Sequence, residues 1–185
     1  MIEIRTLPNI TQADLDRLIT GYTATTQYAV EYDEGETQMT LRLRLETLPA
    51  PRMVRYDQTD AETLARYQGY LSEGCSFGAY LDGALVGIAI AEHQVWNNIL
   101  WVWEFHIGEE QRGTGIGRQL MGALVTLCEA RGIRAIVCET QTRNTPAIAF
   151  YRRMGFTLDG IDLSYYTNDD VARNDVAVFM KRRIG

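Results

Sequence analysis

Histidine, cysteine and proline are scarce in this chain, and each scarcity removes a class of function. The two histidines, His93 and His106, are too few for most metal centres and no H-E-x-x-H pair occurs, so no metal is expected. Cys75, Cys128 and Cys138 make an odd set without a C-x-x-C pair. They signal neither a disulfide framework nor a zinc site and read as small buried hydrophobes. With four prolines there is no Pro-rich linker, and no internal repeat or low-complexity tract divides the chain. No apolar run approaches the ~20 residues of a membrane helix. The opening "MIEIRTLPNITQADLDRL" carries acidic residues early and no apolar leader, so a cytoplasmic location without membrane contact is expected. Basic residues are outnumbered, 18 Lys and Arg against 24 Asp and Glu, for a net charge of −6. That balance argues against nucleic acid as a partner and leaves room for a cationic one.

The 185 residues that are present, 46% hydrophobic and 23% charged, suit one soluble domain able to bury a core unaided. "TQADLDRLITGY" places Leu15, Leu18, Ile19 and Tyr22 at helical spacing behind a Thr11 cap. "QMTLRLRLE" alternates Met39, Leu41, Leu43 and Leu45 with polar residues, the period of a strand with one buried face. The nearest approach to a boundary is "ETLPAPRM", where two prolines cluster. Beyond it, Thr59 and Glu62 read as a capping box for a helix carrying Leu64, Tyr67 and Leu71 and stopping at Gly74. From Cys75 to Ile107, apolar runs separated by "LDGA" and "WNN" predict an antiparallel meander. Its third strand, "ILWVWEFHI", puts Trp101, Trp103, Phe105 and Ile107 on one face and Val102, Glu104 and His106 on the other by strict alternation.

Next, "EEQRGTGIGRQ" crowds three glycines ahead of an amphipathic helix that carries Leu120, Met121, Leu124, Leu127 and Cys128 on one stripe and ends at Gly132. "IRAIVCET" predicts a buried strand, and "NTPAIAFYRRMGF" a helix with Thr145 as cap, Pro146 at its first position and Gly155 past its end. "FTLDGIDLSYY" and "VAVFMKR" predict two further strands. The whole reads as an α+β (or α/β) domain on a mixed sheet, and a homodimer joined through the C-terminal strands stays open.

A bare loop that follows a strand and opens a helix offers backbone amides at the positive end of a helix dipole, for which phosphate is the natural ligand. A nucleotide P-loop is excluded because Gly117 is followed by Arg118 and Gln119, not Lys and Ser or Thr. A dinucleotide fingerprint fits poorly, since "GTGIGRQL" gives G-x-G-x-G after an antiparallel meander. The remaining pattern is R-x-x-G-x-G at Arg112, Gly115 and Gly117, joined by N-x-x-A-x-x-F-Y-x-x-x-G-F at Asn144, Ala147, Phe150, Tyr151, Gly155 and Phe156. Together these resemble the GNAT superfamily of acetyl-CoA-dependent N-acetyltransferases, over about Cys75 to Phe179. From "ILWVWEFHI" onward, with "ETQ" near the second motif and the G-x-D…Y ending, the chain is also similar to streptothricin acetyltransferases, which acetylate a β-lysine amine of a cationic antibiotic.

That resemblance implies one GNAT domain over residues 1–185, with a mostly antiparallel central sheet flanked by helices. Residues 1–74 would supply substrate-side elements and 75–185 the acetyl-CoA core. It assigns Arg112, Gly113, Gly115, Ile116, Gly117 and Arg118 to the cofactor pyrophosphate, and Phe105, His106, Ile107, Asn144, Ala147 and Phe150 to the rest of acetyl-CoA. Tyr151 matches the phenol that protonates the departing thiolate, and Glu104 the strand carboxylate that serves as base, with His106 as its rival. Tyr32, Asp33 and Glu34, with Trp103, are the candidates for binding a small-molecule amine. A protein amine as acceptor, or acyl-CoA sensing without catalysis, are the alternatives.

Overall fold

The computed structural model describes residues 1–185. In chain order the elements are β1 (Ile2–Thr6), α1 (Gln12–Leu18), β2 (Tyr22–Glu34), β3 (Met39–Val54), α2 (Ala61–Leu71), β4 (Phe77–Leu81), β5 (Ala84–Gln94), β6 (Ile99–Ile107), α3 (Ile116–Arg131), β7 (Ala135–Gln141), α4 (Thr145–Arg153), β8 (Thr157–Asp162), α5 (Asp170–Arg173) and β9 (Ala177–Arg183). The larger sheet is mixed and has seven strands in the order β1-β4-β5-β6-β7-β9-β8. Its β6/β7 pair is parallel, while β1/β4, β4/β5, β5/β6 and β8/β9 are antiparallel, as the α+β expectation has it. No helix is long and apolar enough to cross a membrane. Two compact units divide the chain: residues 1–20, 55–138 and 182–185 form one, and 21–54 and 139–181 the other.

In the first unit the β4–β5 turn holds Asp82 and Gly83 at φ of 49° and 88°, the paired left-handed conformation that "LDGA" predicts for a two-residue hairpin. One face of β5 offers Ile88 and Ile90, which pack with Leu15 and Leu18 of α1 and Tyr67 and Leu71 of α2. The other face receives α3, whose Leu120 approaches Gly87, and whose Ile116, Met121, Leu124 and Cys128 are buried with it. The three cysteines are buried and free of disulfides, as expected for hydrophobes of their size.

The second unit contains a long hairpin, β2 against β3, in a two-stranded sheet of its own. This corrects three sequence expectations. Helix α1 stops at Leu18, so Ile19 and Tyr22 lie beyond it and Tyr22 opens β2. The strand expected over "QMTLRLRLE" runs on to Val54, through Pro49 and Pro51, so the cluster read as a boundary lies inside a strand. Proline lacks the amide a central strand needs, but β3 pairs only with β2, and its other edge has no ladder to break.

Helix starts follow the expected chemistry with shifted residues. Thr11 caps α1 and forms a capping box with Asp14. Helix α2 is capped by Asp60 rather than Thr59, its carboxylate accepting from the Thr63 amide at 2.7 Å. Helix α4 is capped by Asn144 rather than Thr145, its side-chain oxygen accepting from the Ala147 amide at 3.2 Å, so Pro146 falls one place later than read. Neighbouring Thr, Asp and Asn residues are interchangeable caps by type, and the backbone at the first turn chooses between them. Asp60→Ala is therefore expected to lower the melting temperature by about 2–4 °C while Thr59→Ala leaves it unchanged, read by circular-dichroism melting.

Candidate active site

The chemistry of β6 is set by one extra residue. Ala91 of β5 lies opposite Val102, but the next residue back, Ile90, lies opposite Glu104, leaving Trp103 as a bulge. Because side chains alternate with period two, one inserted residue reverses the face of everything beyond it. The strict alternation read from the sequence is thus overturned. Glu104 and His106 turn to the side of Ile90, Ile88 and Trp101, and leave the side of Val102, where Phe105 and Ile107 now point. Helices α1 and α2 pack on the side that Glu104 and His106 share with Ile88 and Ile90.

Tyr67 and Tyr70, one turn apart on α2, meet this corner together. The Tyr67 hydroxyl donates to Glu104 Oε1 in a short hydrogen bond, and Tyr70 stacks on Trp103 with the ring planes 3° apart and the centroids 5.7 Å apart. Glu104 Oε2 pairs with His106 Nε2 at 2.7 Å, and the Tyr56 and His106 rings lie at 87° with their centroids 5.9 Å apart. Burial pushes the Tyr67 phenol well above its ordinary range, and the Glu104 charge and hydrogen bond push it further the same way. Trp103, a substrate candidate by sequence, has its indole N–H bonded to Glu92 at 3.0 Å. Sequence reasoning missed Tyr67; its signal was a tyrosine on the apolar stripe of a helix, since a buried phenol needs a partner.

Beyond β6 the glycine loop enters α3. Gly113 and Gly115 have φ of 80° and 90°, which side-chain-bearing residues rarely adopt, and a methyl at either would meet open space. Gly115 is the N-cap and has no side chain to close the helix, and the first intrahelical bond runs from Gln119 N to Gly115 O. The amides of Ile116, Gly117 and Arg118 are therefore left at the dipole's positive end without a side-chain cap, a place suited to an anion. Arg112 makes two bonds within the chain: its Nε donates to Ile107 O at 3.0 Å and its terminal nitrogen to Thr20 Oγ1 at 3.1 Å, bracing the end of β6. The parallel ladder of β6 with β7 ends at the pair Val102 and Cys138, so Trp103 to Ile107 lie past it.

The second unit holds the other sequence candidates. Asn144 is buried, with its side-chain oxygen spent on the cap, and Ala147 and Phe150 are half-buried on α4. Tyr151 is buried with its ring against Phe150 and Phe156. Thr145 bonds Thr26, and Arg152 bonds the Tyr28 hydroxyl at 2.8 Å, tying α4 to β2 beside a groove of about 500 Å³. Tyr32, Asp33 and Glu34 stand exposed at the outer end of β2, where the Tyr32 hydroxyl donates to Glu34. Nearby Glu31 is paired with Arg42 and Arg44 of β3, each at 3.4 Å, so this stretch is less bare of positive charge than its sequence suggests.

A sequence profile of the acetyltransferase (GNAT) family matches residues 39–156, more than half of the chain. A streptothricin acetyltransferase of Escherichia coli is 32% identical over 107 residues, 58% of this chain and 61% of that protein, so the chain matches less than two-thirds of that relative's length. Among solved structures, a nourseothricin acetyltransferase superposes with a TM-score of 0.71 at 27% identity, over 100% of this chain and 99% of its own. A structure from Bacillus anthracis str. Ames in complex with acetyl coenzyme A has a TM-score of 0.75 at 19% identity over 99% of both chains, a likeness of fold.

Two outcomes follow from the geometry. Gly115→Ala is expected to lower the unfolding free energy by about 1–2 kcal/mol in urea titration, the cost of a left-handed alanine. The Tyr67 proton, held more tightly in the folded chain than in the unfolded one, contributes stability that is complete below the ordinary tyrosine range and lost as pH rises above about 10. In alkaline unfolding curves, Tyr67→Phe should flatten that loss.

Proposed function

The chain belongs to the acetyltransferase (GNAT) family, and on that premise we propose that it transfers the acetyl group of acetyl-CoA to a primary amine of a small cationic molecule of the streptothricin type. The observation that carries this reading is the uncapped start of α3. It lies inside the matched span and offers three amides without a side-chain cap, beside two left-handed glycines at which a methyl would meet open space. The amides of Ile116, Gly117 and Arg118 would hold that group, and β6 past the end of its β7 ladder would take the extended arm that carries the acetyl thioester. The net charge of −6 favours a cationic acceptor, and the named relatives favour streptothricin.

Energetics show where such a reaction needs help. An alkyl amine of pKa ~10.4 is protonated at pH 7 by about 3.4 units, so presenting its free base costs about 4.6 kcal/mol. A leaving thiol of pKa about 8.5 lies only ~1.5 units from thiolate, a cost near 2 kcal/mol. Removing the amine proton is thus the larger demand, and Glu104 with the His106 bonded to it is the assembly proposed to meet it. Tyr151 is proposed to protonate the sulfur. Carboxylates next to the reacting nitrogen would raise its pKa and oppose deprotonation, so Asp33 and Glu34 suit the acceptor's other charges.

Purified chain, acetyl-CoA and streptothricin are expected to release free thiol and to yield an acetylated product by mass spectrometry. Glu104→Gln and Tyr151→Phe are each expected to lower kcat by about 10²-fold or more while calorimetric binding of CoA stays unchanged. Bound CoA with no thiol release from streptothricin, polyamines, lysine derivatives or basic peptides would refute transfer, and release with peptides alone would move the acceptor to protein amines.

A further inference from the structure

Resting on the acetyl-transfer reading above, we propose that the proton leaving the acceptor amine is taken by Nδ1 of His106, with Glu104 orienting the ring and Tyr67 positioning Glu104. Both oxygens of Glu104 are already engaged, Oε1 by the Tyr67 hydroxyl and Oε2 by His106 Nε2. An ionised carboxylate only accepts hydrogen bonds, so Nε2 carries the hydrogen and the ring's lone pair resides on Nδ1. No hydrogen bond occupies that nitrogen. A proton placed directly on Glu104 would neutralise the carboxylate that both donors address, whereas a proton placed on Nδ1 keeps both hydrogen bonds to an ionised acceptor and creates an imidazolium beside it. With the His106 and Glu104 side chains only 15% and 19% exposed, that attraction is weakly screened by water.

Tyr67 is a positioning residue. Its phenol, kept protonated by burial and by the Glu104 charge, stays a donor throughout the working range and holds the carboxylate toward His106. The other groups around the pair are few. Arg66 of α2 lies over the Tyr67 ring at 5.7 Å, the Tyr56 ring stands across that of His106 at 87°, Ile88 of β5 pairs with His106, and Glu92 of β5 is taken by Trp103. Helix α1 contributes only Leu15 and Leu18 to the same core.

The step itself is a proton transfer. The amine N–H bond breaks, its electron pair stays on nitrogen, and an Nδ1–H bond forms. The nitrogen pair then makes the N–C bond to the thioester carbonyl carbon, and the C–S pair departs with sulfur, which takes the Tyr151 proton. A second amine proton follows the first onto Nδ1 after that site has discharged to water, and the Tyr151 phenolate is reprotonated from water.

The test has a spectroscopic arm and a kinetic arm. Nitrogen NMR of ring-labelled protein is expected to show Nε2 protonated and Nδ1 bare in the resting state; the opposite tautomer would overturn the proposal whether or not the chain turns over. In steady-state kinetics, Glu104→Gln and Tyr67→Phe should each lower kcat while KM for acetyl-CoA stays unchanged, the split expected of groups that orient the base and do not hold the cofactor. His106→Ala should lose about 10²-fold or more, with partial recovery on adding imidazole, which separates a lost base from a damaged fold. A His106→Ala enzyme retaining its activity would overturn the relay and leave acetyl transfer standing. A chain that binds CoA but from which no amine elicits thiol release would overturn acetyl transfer and the relay with it, whatever the tautomer.

Discussion

The inserted residue at Trp103 is the constraint on which the chemistry of the first unit depends. A strand alternates its side chains whatever they are, so a carboxylate can be turned toward a given neighbour only by its position or by a break in the alternation. Here the break places Glu104 and His106 on the α2 side, where a buried phenol and a second aromatic one turn apart are ready to receive the corner. Without the bulge, Glu104 would share the face of Val102, which is buried, and a charge there would have to be desolvated without Tyr67 as its donor. The bulge, the helix phase of Tyr67 and Tyr70 and the pairing with His106 form one arrangement, since each part closes a polar valence that another leaves open.

The start of α3 follows an opposite logic. Helices α1, α2 and α4 are each closed by the side chain of Thr11, Asp60 or Asn144, which occupies one of the first free amides. Helix α3, the longest, begins on Gly115 with no side chain at that place. Withholding a cap leaves free amides at the end of a long dipole, a local cost in stability that is offset when an anion occupies them. Arg112 ties the loop to the end of β6 through its bond to Ile107 O.

In the second unit, the same economy of side chains appears in the β2–β3 hairpin. Two strands alone are marginal in water, and this pair is tied to α4 through Thr26, Thr145, Tyr28 and Arg152. Its acidic stretch is balanced in part from across the hairpin, where Arg42 and Arg44 of β3 reach Glu31 of β2. Asn144 shows how a residue's place in a motif can be legible while its use as the α4 cap needs the backbone.

Local rules were enough for much of this protein. The meander with its Asp-Gly turn, the amphipathic α3 with its glycine boundaries, the buried cysteines and the mixed sheet all follow from period, turn chemistry and composition, which act over a few residues and are written in sequence order. The two-motif resemblance was equally local, since each motif lies within one loop and one helix. What tertiary structure alone decided was the face on which Glu104 and His106 stand, their meeting with Tyr67, the passage of β3 through Pro49 and Pro51, and the binding of Arg112 to Thr20. A bulge is defined by the partner strand and a buried phenol by the acceptor that satisfies it. Neither partner is near in sequence, so no pattern along the chain records them.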